Sequence, residues 1–130
     1  MYPLLPVVAI SIGASVGALA RWGLALWLNP LASMPLGTLA ANLVGGYLIG
    51  ICMAVFQALP QLDPAWRLAL VTGFLGALTT FSSFSAEVVG MLQQQRYLLA
   101  LGTAAAHLLG SLLLTIVGLH NATFLIAYRA

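Results

Sequence analysis

The stretch TGFLGALTTFSSFSAE, Thr72 to Glu87, decides how this chain is read. From Thr79 to Ser85, seven residues hold five hydroxyls and two phenylalanines, in a chain that is 62% hydrophobic and 5% charged. Gly73 and Gly76 lie just upstream. One or two Ser or Thr residues in an apolar helix bond back to their own carbonyls and merely bend it. Five, behind glycines and interleaved with aromatic rings, predict instead that the helix is interrupted near residue 79.

The surrounding sequence places this stretch in a membrane. Six side chains are formally charged: Arg21, Arg67, Arg96, Arg129, Asp63 and Glu87. A soluble domain carries about 25% charged residues, and this chain has too few to solvate a surface. Uncharged runs cover residues 1–20, 22–62, 68–86 and 97–128. Roughly 20 apolar residues cross the hydrocarbon core, so the run 22–62 holds the end of one span, a turn at Asn29-Pro30 and Pro35, and a second span. The expected fold is an all-α membrane protein, with residues 1–130 forming a single transmembrane domain of four transmembrane helices at about 4–28, 35–58, 65–92 and 97–125. The third of these is a broken helix. No Lys or Arg precedes the first apolar run, which argues against a cleaved signal peptide. The lone cysteine, Cys52, excludes an intrachain disulfide and reads as helix packing. A net charge of +2 is too small and scattered for a nucleic-acid surface. The sequon Asn121-Ala122-Thr123, at the end of the last span, reads as a chance match.

Orientation is poorly specified. Lys and Arg normally gather in cytoplasmic loops. Here Arg67 and Arg129 fall on one face, Arg21 and Arg96 toward the other, and there is no lysine to break the tie. A chain with so weak a signal inserts both ways, and two copies in opposite orientations can pair as an antiparallel dimer. Four short helices also leave little room to enclose a polar route alone. Gly13 with Gly17, Gly46 with Gly50, and Ala106 with Gly110 sit four apart on helix faces, suited to close packing between copies or within one chain.

The polar inventory narrows the chemistry. A broken helix offers carbonyls from its first half, which suit a cation, and N–H groups from its second half, which suit an anion. Phe81 and Phe84 share one helix face, and the positive edges of their rings can meet an anion without a formal charge. Ser82 and Ser85 repeat the spacing on an adjacent face. Asn42, midway along the second span with Thr38 one turn earlier, is either an interhelical hydrogen bond or an amide donor for a partly dehydrated ion. Thr103, His107 and Ser111 form one polar stripe on the last span. A lone histidine there is more often a hydrogen-bonding core residue than a proton or metal site. Glu87 and Arg21 are costly at membrane depth and face a watery vestibule or an unseen partner. No catalytic constellation is present, so an enzyme is not expected. A narrow route lined by neutral donors points to anion conduction.

These residues carry a resemblance. GALARW (17–22), PLGTLAANLVGGYLIG (35–50), TGFLGALTTFSSFSAE (72–87) and LLGSLLLT (108–115), in this order, resemble the CrcB/Fluc fluoride channels along essentially the whole chain. The resemblance implies a dual-topology antiparallel homodimer in the lipid of a bacterial inner membrane, with two pores. These export fluoride that enters as neutral hydrogen fluoride and ionises inside. By position, Phe81, Phe84 and Asn42 correspond to pore residues, Thr80, Ser82 and Ser83 to the hydroxyl track beside them, and Ser111 to a polar pore position on the last helix. Thr38 joins this set. Gly76 and Thr79 correspond to a break whose carbonyls, from both subunits, hold a structural sodium ion. Arg21, Glu87 and His107 are expected in vestibular or structural roles. Two departures stand out: Ala77 where a glycine is common, and Thr103 and His107 where many members carry Tyr and Ser. A pore-facing His107 would make conduction pH-sensitive near its unperturbed pKa of about 6.5. The competing readings are a four-helix, dual-topology exporter of the small multidrug type, which needs a carboxylate that residues 1–20 lack, and a noncatalytic membrane scaffold.

Overall fold

The computed structural model describes residues 4–130, and residues 1–3, the start of the first uncharged run, lie outside the described residues. Helix α1 (Leu4–Leu28) ends in a single 3₁₀ turn, Asn29–Leu31, where Pro30 occupies a position that needs no N–H. Asn29 then accepts a hydrogen bond from the Gly37 N–H at 2.8 Å and so caps α2 (Leu36–Ala58) across the turn. The third helical run starts at Asp63, whose carboxylate accepts from the Ala65 N–H at 2.8 Å ahead of Pro64. Short α3 (Pro64–Arg67) passes into a π-wound stretch, Leu68–Leu75, and then α4 (Gly76–Leu78). Thr79 (φ −84°, ψ 154°) and Thr80 (φ −151°, ψ 123°) are extended. Helix α5 (Phe81–Gln93) follows, and α6 (Tyr97–Arg129) closes the chain, running past the expected end near 125.

The α5–α6 turn uses Gln95 in the left-handed region, φ 59°. Its N–H bonds to Leu92 O and the Arg96 N–H to Met91 O, the paired bonds of a Schellman stop with glutamine where glycine is usual.

Among the described residues, four stretches are long and apolar enough to cross a membrane: Leu4–Leu31, Leu36–Ala58, Pro64–Gln93 and Tyr97–Arg129. Their apolar side chains face outward, as Leu98 (85% exposed) and Ile116 (65%) illustrate, and the buried hydrophobic set is small. That is the distribution expected where lipid replaces water, and the chain is a multi-pass membrane protein. Contacts inside the bundle rest on small residues. A β-carbon at Gly50 would overlap the Thr115 carbonyl of α6, and one at Gly17 would overlap the Phe74 carbonyl of the π-wound stretch. Gly13 and Gly46 make similar approaches, so these glycine pairs are used within the chain.

Candidate functional site

The site is built around the extended residues. Two successive residues outside the helix would leave backbone groups unpaired in the bundle, and Asn42 of α2 answers for one of them. Its Oδ1 accepts from the Thr80 N–H at 2.8 Å and its Nδ2 donates to the Thr80 carbonyl at 3.0 Å. The side-chain amide thus pairs with Thr80 as a neighbouring strand would. The second Nδ2 hydrogen goes to His107 Nδ1 of α6, at 2.9 Å. Both amide hydrogens are therefore engaged.

The other polar groups can be accounted for one by one. Thr79 Oγ1 bonds back to Leu75 O at 2.9 Å, and Thr79 N–H takes the same oxygen at 3.0 Å. Thr80 Oγ1 caps α5 by accepting from the Ser83 N–H at 3.1 Å, and lies 3.2 Å from Ser82 Oγ. Thr115 Oγ1 is 2.9 Å from both Gly46 O and Ser111 O, and Ser111 Oγ makes a long 3.5 Å contact to Asn42 O. Among the carbonyls, Ala77 O accepts from Arg21 Nε at 3.1 Å, a cation at the end of a helical run. The carbonyls of Gly76, Leu78 and Thr79 have no hydrogen-bond partner among the described residues. Open oxygens thus stand on one side of Thr80, and the positive N-terminal end of α5 on the other.

That end carries the aromatic pair. Phe81 and Phe84 pack edge to face, with centroids 5.4 Å apart at 73°, and Phe84 lies over the His107 ring at 4.4 Å. Phe81 is 77% exposed, and Ser82 is exposed beside it. An open-sided cavity of about 490 Å³ separates α2, the third run and α6. It brings together Asn42, Gly76, Thr79, Thr80, Phe81, Phe84, His107 and Ser111. Thr115, also in its wall, was absent from the sequence-based set, although one further step of the four-residue spacing through His107 and Ser111 reaches it.

Other expected residues lie outside the wall. Thr38 is buried and donates to Glu87 Oε1 at 2.5 Å, while Glu87 Oε2 is buried without a partner among the described residues. Ser82 and Ser83 reach the cavity only through Thr80. Thr103 is buried against Met91, with its hydroxyl 3.5 Å from the sulfur. Arg21 touches the site through the Ala77 carbonyl alone.

Comparison with known proteins adds the lineage. The sequence model described as "CrcB-like protein, Camphor Resistance (CrcB)" matches residues 8–119. The fluoride-specific ion channel FluC of Albidiferax ferrireducens is 76% identical over 126 residues, covering 97% of each chain. Its namesake in Variovorax paradoxus is 68% identical over 95% of this chain and 99% of its own, and that of Paracidovorax citrulli 61% identical over 95% and 98%. All three names are those of ion channels and none is an enzyme's. With the matched segment running from within α1 to within α6 and every part of the Asn42–Thr80–His107 constellation inside it, this chain belongs to the CrcB family.

Proposed function

We propose that this protein is a fluoride-specific channel of a bacterial inner membrane, in which two copies pair antiparallel to form two pores around a structural sodium ion. The observation that carries the reading is local. The extended pair Thr79–Thr80 opens a fresh helix N-terminus at Phe81, and places it with two aromatic edges on a cavity in the wall of a chain 76% identical to a named fluoride channel. An anion crossing there meets partial positive charge from the α5 N-terminus, ring edges from Phe81 and Phe84, and the hydroxyl of Thr80 with Ser82 behind it, with no formal cation in the cavity wall. Neutral donors compensate lost hydration without trapping the ion, as conduction requires. Passive export of fluoride follows its gradient, and no carboxylate in the cavity wall offers proton coupling.

We read Thr79–Thr80 as a mid-membrane interruption of the third span. The open carbonyls of Gly76 and Thr79 fit a hard cation such as sodium, and Gly76 is exposed in the single chain, ready to face a second copy. When bound, that ion would neutralise carbonyl dipoles converging from two chains. The open-sided cavity supports the antiparallel pair, because a second subunit would supply its missing wall.

Fluoride release from liposomes tests the reading, with vesicles loaded with fluoride or chloride and potassium flux shunted by an ionophore. Rapid fluoride release with little chloride release, lost when Phe81 and Phe84 are both changed to leucine in a protein that still assembles, is the expected result. Equal release of both anions would refute selectivity. No release from inserted dimers would leave a scaffold as the better account, and proton-coupled efflux of organic cations would favour the small multidrug-type exporter.

A further inference from the structure

The hydrogen bonds around Asn42 fix the proton on His107. Thr80 N–H is a backbone group and can only donate, so the Asn42 atom 2.8 Å away is Oδ1 however the amide is drawn. The other amide atom is then Nδ2. Its two hydrogens point at Thr80 O and at His107 Nδ1, which must therefore offer a lone pair. A neutral imidazole in that position carries its hydrogen on Nε2. This Nε2–H is buried in a residue only 4% exposed, and has no partner among the described residues. Buried N–H donors are rarely left unpaired, and such exceptions call for an explanation.

We infer that His107 is the buried nitrogen donor of the conduit, a neutral imidazole whose Nε2–H takes the place of water in fluoride's shell. The identity of the anion rests on the channel reading above. The geometry itself favours His107 over Asn42 as donor, because the amide hydrogens of Asn42 are both spent, as are the hydroxyls of Thr79 and Thr115. The Phe84 ring stacks on the imidazole with centroids 4.4 Å apart, and both rings line the cavity, so the imidazole stands beside the route. The neutral form matters as well. A second proton on Nδ1 would set two N–H groups against each other across 2.9 Å and loosen the hold on Thr80. Glu87, on the neighbouring helix, is held on one oxygen by Thr38, which bonds to it one turn along α2 from Asn42.

The decisive measurement needs no variant at His107. The protein is labelled with ¹⁵N-histidine in lipid bilayers, with the exposed His120 changed to glutamine to leave a single signal, and is examined by solid-state NMR. Expected are an unprotonated Nδ1, a protonated Nε2, and an Nε2–H resonance that moves with fluoride and not with chloride. In flux, His107→Gln, which can accept from Asn42 and donate onward, should retain at least a third of the parent rate. His107→Phe, which keeps the ring and loses the donor, should lose tenfold or more. A proton on Nδ1, or His107→Phe conducting within twofold of the parent, would overturn the assignment. A parent that releases no fluoride sinks the channel reading; a parent that releases it while Nε2–H stays blind to fluoride sinks this inference alone.

Discussion

Replacing Asn42 with alanine removes three hydrogen bonds from one point in the bundle: those to Thr80 N–H, Thr80 O and His107 Nδ1. Interhelical bonds in membranes are worth about 0.6 kcal/mol on average and up to about 1.7. Three of them put the loss at roughly 2–5 kcal/mol, or about 30-fold to several thousand-fold in the folding equilibrium. The upper part of that range applies if the two Thr80 backbone groups stay buried and unpaired, since orphaned groups bear their full desolvation cost. Asn42→Asp refines the test. Its carboxylate still accepts from Thr80 N–H, and can accept from His107 if the ring proton moves to Nδ1, but it cannot serve the Thr80 carbonyl. Stability should therefore rank parent, then Asp, then Ala, in denaturation titrations of protein in mixed lipid and detergent. Asn42→Ala unfolding within about 0.5 kcal/mol of the parent, a change typical of an uninvolved surface site, would refute the reasoning. The same result bears on flux assays. Loss of fluoride release in Asn42→Ala does not by itself mark Asn42 as a ligand for the ion, because the variant also releases the backbone that forms the site.

Three further outcomes are expected. Gln95→Gly relieves a left-handed residue at the α5–α6 turn and should stabilise the protein by about 1 kcal/mol, read as a higher midpoint in thermal unfolding. Gly50→Val forces atoms against the Thr115 carbonyl and should cost at least about 1–3 kcal/mol, with normal behaviour of the variant arguing that α2 and α6 do not approach as closely as described. Exchanging sodium for a large organic cation should lower the thermal midpoint of the assembled protein, whereas a midpoint indifferent to sodium would count against the Gly76 and Thr79 carbonyls as its ligands.

The four helices were legible because charge is excluded from hydrocarbon, so six charged residues and a few prolines punctuate the chain almost unaided. Family membership was legible in the order and content of the quoted motifs. Pairings were not. Asn42 and Thr80 lie 38 residues apart, and composition names a donor without saying what it faces. The hydroxyls mislead for a related reason. As residue types they suggest a ladder of donors, whereas Thr79 and Thr115 turn back to carbonyls of their own helical runs. Nothing in LALVTGFL announces π winding, which carries no proline or other local mark. The last helix passes through Asn121-Ala122-Thr123 to Arg129 because none of these residues stops a helix as proline would.

The two-point pairing between Asn42 and Thr80 has a mechanical consequence. It rivets α2 to the third run at one residue and fixes both the height and the rotation of one against the other. A slide by a single turn would uncouple both Thr80 groups at once, with no second amide within a turn of Asn42 on α2 to catch them. Whatever moves while an ion passes must therefore be small and local, a ring or a hydroxyl turning within a frame whose helices hold still.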